Sequence, residues 1–472
     1  MPASVTRRGF LRQSAGAALG AAGLYGLVDA VGGLPARAAA TVGDRAPAEQ
    51  HLLRDVRVLT DNGVEIFAPP LHHQLVTARL TVARTKPALR KAQRELERVL
   101  RELDSRFPAT PAGLGLTVAW GLPYFQRYVP EPWQRHRPRD LQAHRPALLE
   151  AIRFPSDSPS VILERNDLVV QLRSDHLAHI ATAAKLIFGQ LEGMLEITSI
   201  RKGFVGGGYY GGRSLPKKMA LKAGIPAASR IPDSAQLFLG FTSSQRGALG
   251  PEMIASLETL PGLTDQWPDG YFRNGTTMHV SHLYLDLKRW YRDFTFDDRV
   301  WATFRPRLDV RTGTRTVPQG PRQVVDVEEI LDEIAEQGFT GHSAAMQPAN
   351  RLSADVIDNY GNEYPKGTAL IQRPDFNTLD TPFAWSAQPT RDKWSPNASA
   401  GLHFVAYSPT SNIFHRTRLA MDGRYADGTI VPPDPNRPNR RFNSVMKSTH
   451  RQNFLVPPRA HRSFPLAELA GR

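Results

Sequence analysis

The sequence predicts an α+β fold of two tandem ferredoxin-like units with long loop insertions, and three observations carry the prediction. A β-α-β-β-α-β succession is readable from Leu75 to Ile200. A second, less regular succession of strand, helix and strand runs from His279 to Tyr407. Between them lies a Gly/Pro-rich stretch, Gly203 to Phe241, that suits neither element.

Each element has its own warrant. From Leu75 to Val82, apolar Val76, Ala78, Leu80 and Val82 alternate with Thr77, Arg79 and Thr81, the pattern of a half-buried strand. From Lys86 to Arg106 the apolar residues Leu89, Leu96, Val99, Leu100 and Leu103 recur at three, four and seven, so one helical face packs on a sheet. Leu114 to Trp120 predicts a second strand, and Val161 to Arg173 a third or a hairpin. Asp175 then caps a helix through Leu191, and Met194 to Ile200 returns as a strand. In the second half the pattern predicts a strand over His279 to Leu287, a helix near Lys288 to Trp301 and a strand over Leu402 to Tyr407. Val310 to Arg373 reads as an insertion carrying one helix, Asp326 to Gln337, and Asp422 to Arg441 as a Pro-rich surface loop.

The N-terminus carries an address. Arg7-Arg8-Gly9-Phe10-Leu11 precedes a Gly/Ala-diluted apolar segment that ends in Ala36-Arg37-Ala38, a twin-arginine export signal with a small-x-small cleavage site. The expected organisation is therefore a signal over 1–38, a first unit over 39–240 and a second over 241–472. The mature protein is expected to be periplasmic or extracellular, with no stable membrane span once the signal is removed. The chain has no Cys, which excludes Cys-ligated zinc, iron–sulfur clusters and thiolate-bound or covalently attached haem. The formal charge is +14, of which Arg7, Arg8, Arg12 and Arg37 against Asp29 supply three. The remaining excess is scattered, without the basic and aromatic interleaving of a nucleic-acid surface, so no nucleic-acid partner is expected.

Several motifs fail on context. Gly206-x-Gly208-x-x-Gly211 has the glycine spacing of a dinucleotide loop, yet Arg213-Ser214-Leu215-Pro216 follows it where a helix able to hold a pyrophosphate is required, so a flexible glycine loop is expected. His176 and His179 share a helix without an evident third metal ligand, and His279 and His282 fall on opposite faces of a strand.

One set of segments holds together. They are Phe238-Leu239-Gly240-Phe241-Thr242-Ser243-Ser244, Gly341-His342-Ser343 with Pro348-Ala349-Asn350-Arg351, Ala369-Leu370-Ile371-Gln372-Arg373-Pro374-Asp375-Phe376, the strand Gly401 to Tyr407, and Gln452 to Arg459. In this order, and behind an export signal, they resemble the dye-decolorising peroxidase family, a haem-binding group of the dimeric α+β barrel superfamily. The resemblance implies haem b as cofactor, His342 as the axial iron ligand and Arg373 as the distal arginine. It implies reduction of hydrogen peroxide with oxidation of an organic electron donor, by a protein that can form a homo-oligomer. Ser243 stands where the family's distal Asp would be. The proton shuttle then falls to Asp375 or to a water held by Ser243, while Tyr407, Trp385 and Trp394 are candidates for electron relay. The residues themselves leave plainer roles open: a loop histidine at 342, and an Arg373 paired with Asp375 or Asp380. The same departure leaves open a catalytically degenerate, non-enzymatic binding or scaffold protein on this fold.

Overall fold

The computed structural model describes residues 48–206, 214–249, 252–318, 326–380, 398–431 and 441–471. The segment expected to be an export signal, the middle and end of the glycine motif, and Trp385 and Trp394 lie outside these residues. A helix, Leu215–Lys222, capped by Ser214, does follow the glycine motif, against the expectation of a loop.

The first unit has the predicted order: β1 (His72–Leu80), α1 (Lys86–Arg106), β2 (Gly115–Gly121), β3 (Leu168–Ser174), α2 (Leu177–Gln190) and β4 (Leu195–Phe204). Its strands lie side by side as β4-β1-β3-β2, all antiparallel. The second unit repeats that order with β5 (Thr276–Leu285), α3 (Leu287–Arg292), α4 (Phe296–Thr303), α5 (Val327–Gln337), α6 (His342–Asn350), β6 (Phe376–Thr378), β7 (Gly401–Ser408), α7 (Ser411–Ala420) and β8 (Met446–Val456). Its strands follow one another as β8-β5-β7-β6. Two seams join the sheets: β2 to β8 through Gly121 and Phe454, and β4 to β6 through Phe204 and Asn377. The eight strands therefore close into a ring, which leaves few unpaired edges.

Closure gives every strand an inner and an outer face. Leu75, Ala119, Val169, Val280, Val405 and Phe454 point inward and pack together. Outward, Val76, Ala78, Val118, Trp120 and Val170 receive the apolar stripe of α1, including Leu96 and Leu100, both 0% exposed. Thr85 caps α1 by accepting the Ala88 N–H, so the helix starts and ends as its periodicity dictates. Trp290, Phe304 and Leu402 belong to the corresponding outer core of the second unit.

The structure corrects several boundaries. The first strand begins at His72 and ends at Leu80, short of Val82. Asp175 does not cap α2: its Oδ1 accepts the Leu71 N–H at 3.1 Å, and the helix starts after His176 without a side-chain cap. The third strand is Leu168–Ser174, while Ile162–Leu163 pairs in parallel with β8. The single helix expected over Lys288 to Trp301 is two, because Thr295 and Asp298 form a capping box that starts α4 anew. The insertion, expected to carry one helix, carries two: α5, begun by a capping box of Asp326 and Glu329 and ended at Gly338 with φ +80°, and α6. The His176 and His179 rings meet at a tilt with centres 4.9 Å apart, and His179 bonds the Gly113 carbonyl, a packing pair. His279 and His282 do face opposite ways: His279 meets Asn453 and Phe414 outside the barrel, His282 meets His403 inside. Among the described residues no helix is long and apolar enough to cross a membrane.

Candidate functional site

His342 opens α6 because Gly341 precedes it. A Cβ on Gly341 would stand 2.3 Å from the Phe304 carbonyl oxygen, so only glycine lets the start of α6 close on the end of α4. The Ala344 N–H donates to that carbonyl at 3.1 Å and Tyr425 Oη donates to the Ala345 carbonyl at 3.1 Å, which fixes the first turn from two sides. Phe442 stacks on the imidazole with ring centres 4.3 Å apart. Stacking holds the ring face and leaves the nitrogens at its edge, and among the described residues they make no hydrogen bond. Burial, with the Arg373 and Arg418 guanidiniums adding to it, lowers the His342 pKa to about 3, so the imidazole is neutral at pH 7. His342 is thus a helix-start residue and not a free loop histidine.

Arg373 and Asp375 come from the strand-like segment that enters β6. Gln372 and Tyr407 exchange backbone hydrogen bonds of 2.9 and 2.8 Å, which lays this segment along β7. Ser243 arrives from the other direction. Its segment is held by Phe238 N–H to Asn377 Oδ1 (2.9 Å), Tyr291 Oη to the Phe238 carbonyl (2.7 Å) and Thr242 N–H to the Arg315 carbonyl (3.0 Å). Ser243 Oγ then donates to Asp375 Oδ2 at 3.3 Å. Asp375 is 7% exposed and, among the described residues, its Oδ1 is buried without a hydrogen-bond partner. Burial raises the carboxyl's pKa, while the charge of Arg373 and the Ser243 hydroxyl oppose the rise.

These contacts bring the four sequence-predicted residues into one neighbourhood. The Arg373 guanidinium acts electrostatically on both Asp375 and His342, although no ion pair within 4.0 Å joins it to a carboxylate among the described residues. Asp380 is not its partner. That carboxylate accepts the Lys202 N–H at 2.8 Å and faces His403. Tyr407 points into the barrel with its hydroxyl on Gln171, a packing position away from the outer face. Sequence reasoning missed the roles of Phe442 and Arg351. Arg351 caps the end of α6 and donates to the Gly367 carbonyl at 2.6 Å, and burial with Arg373 nearby lowers its pKa to about 10. Phe442 lies in no motif, so only folding could pair it with His342.

The donor set suits haem. A neutral, partly buried imidazole whose nitrogens make no hydrogen bond among the described residues is able to ligate iron, and a guanidinium near a carboxyl is able to handle an oxygen substrate. The cavity lined by His342, Tyr425, Arg441 and Phe442 holds about 30 Å³, enough for a water molecule and far below a ligand pocket of about 300 Å³ or more. A macrocycle on His342 would therefore lie on another side of the ring or displace Phe442.

Comparison with solved structures agrees with this architecture. DtpA from Streptomyces lividans, solved as an oxyferrous complex, superposes with a TM-score of 0.53 over 91% of this chain and 95% of its own, at 16% identity. An encapsulated DyP-type peroxidase from Mycobacterium smegmatis gives 0.47 over 84% and 96% at 15% identity. A dye-decolorizing protein from V. cholerae gives 0.45 over 84% and 96% at 14% identity. At such identity the likeness is one of fold: tandem ferredoxin-like units closed as a dimeric α+β barrel. No curated protein matches the sequence. The model of a family of unknown function (DUF7405) matches residues 70–458, nearly the whole barrel, and the chain belongs to that family.

Proposed function

We propose that this protein is an exported, haem-dependent peroxidase of the dye-decolorising type, reducing hydrogen peroxide at the expense of an organic electron donor. The observation that carries the reading is the Ser243–Asp375 hydrogen bond. It sets a buried carboxyl against the position where the resemblance puts the family's distal acid, with Arg373 acting on that carboxyl and on His342.

Haem, when bound, would supply the iron at which the peroxide O–O bond is cleaved. The chain's own contribution follows from its groups. His342, neutral at pH 7 and oriented by Phe442, presents a lone pair without first losing a proton. Asp375 accepts a proton from peroxide at Oδ1, the oxygen without a hydrogen-bond partner, and returns it to the departing oxygen. Its raised pKa favours the uptake, and the Ser243 hydroxyl holds the opposite oxygen in place. Arg373 stabilises the negative charge that develops as the O–O bond breaks.

The test is an ultraviolet–visible titration of the mature protein with hemin, beside the His342→Ala variant. A saturable Soret band lost in the folded variant, followed by peroxide-dependent oxidation of a dye, is the expected result. No specific band, or a band unchanged in His342→Ala, overturns the assignment; the former outcome favours the haem-free binding or scaffold role.

A further inference from the structure

The barrel interior holds chemistry that the outer site does not use. His403, His282 and His450 occupy directly opposed positions on β7, β5 and β8, forming a row across three neighbouring strands. All three are 5% exposed or less. The His282 ring lies 4.7 Å from that of His403 and 6.3 Å from that of His450. Asp380 Oδ2 stands 3.5 Å from His403 Nε2, and an Arg201–Glu164 ion pair adjoins the row.

Among the described residues, His282 Nε2 and both ring nitrogens of His403 are buried without a hydrogen-bond partner. Buried polar atoms are nearly always satisfied, and because each ring ligates through one nitrogen, His282 and His403 offer two open donor positions. Imidazole nitrogens with a carboxylate oxygen are the donor set of zinc and its borderline neighbours. The 3.5 Å between His403 Nε2 and Asp380 Oδ2 is close to the edge of a tetrahedron, about 3.3 Å for bonds of about 2.0 Å. Gly401 keeps the space clear: a Cβ there would stand 3.1 Å from His282 Nε2.

We propose that His282, His403 and His450 with Asp380 form a site inside the barrel for one divalent transition ion of the zinc class, separate from His342 and independent of the peroxidase reading. Among the described residues no three such groups converge on one point as folded. Binding therefore turns the His282 and His450 rings toward the edge formed by His403 and Asp380, a change of side-chain torsion with the strands left in place.

The experiment uses the untagged mature protein, treated with chelator, dialysed and titrated separately with Co²⁺ and Zn²⁺. One equivalent per chain by elemental analysis, a Co²⁺ visible absorption band displaced by Zn²⁺, and a raised thermal midpoint are expected. His403→Gln and His282→Asn, each confirmed folded by circular dichroism, should weaken Zn²⁺ binding at least about tenfold, while His342→Ala retains it. The wild-type titration decides even where a variant does not fold. Less than about a tenth of an equivalent with an unmoved midpoint overturns the proposal, as does loss of the ion in His342→Ala or undiminished binding in both folded barrel variants.

Discussion

Acid should unfold this protein through histidines that the barrel keeps neutral, and His73 gives the cleanest case. It is 2% exposed, stacks on Phe376 at 4.8 Å and bonds the Pro70 carbonyl through Nε2 at 2.9 Å. Its Nδ1 is buried without a partner. Burial lowers its pKa from 6.5 to about 3, with the charge of Arg173 adding to the effect. Above pH 6.5 the imidazole is neutral in folded and unfolded chains alike, so stability is flat. Below 6.5 the unfolded chain takes up the proton first, and stability falls until the folded pKa near 3 is reached. At about 1.4 kcal/mol per pH unit, this one group costs about 2 kcal/mol between pH 7 and pH 5. His51 is lowered to about 3 by the same two causes, but both rings feel the one charge of Arg173, so their sum is an upper bound. The assay is urea unfolding of wild type and His73→Gln at pH 7 and pH 5. The variant should lose about 2 kcal/mol of the wild-type pH dependence, whatever its stability at pH 7. Equal pH dependence in the two proteins, within about 0.5 kcal/mol, would refute the reasoning.

Two further expectations concern the site and the core. Under the peroxidase reading, Asp375→Asn should retain the Soret band and lower peroxide turnover about a hundredfold, with Ser243→Ala causing a smaller loss; stopped-flow reaction with peroxide measures both. Leu96→Ala, at the centre of the α1 face and 0% exposed, should cost about 2–5 kcal/mol in urea unfolding, and a loss under about 1 kcal/mol would mean that α1 does not cover the sheet as described.

The parts of the fold legible in the sequence are those with an apolar stripe or an apolar-rich run. α1 was readable to the residue because its stripe packs on a sheet while Arg94 and Arg98 face water. β8 was not. It reads Met-Lys-Ser-Thr-His-Arg-Gln-Asn-Phe-Leu-Val, with no alternation, because it is buried on both faces and some of its inward and outward positions are polar. The three-residue β6 is too short to show a period, yet it closes one seam of the barrel. α7 was missed for the same reason as β8: its Asn412, His415 and Arg418 look exposed in sequence and are buried against partners on other segments.

The sequence by itself determined the two-unit α+β order and the exclusion of thiolate chemistry, and the resemblance of its local motifs pointed to His342, Arg373, Asp375 and Ser243 as the residues to watch. Those are properties of composition, period and local order. Tertiary structure alone decided that Ser243 and Asp375, 132 positions apart, share a hydrogen bond. It alone stacked Phe442 on His342 and aligned three histidines from β5, β7 and β8 inside one barrel. The reason is closure. Strand register is set when eight strands pair around a ring, and only then does a long separation along the chain become a contact of a few ångströms.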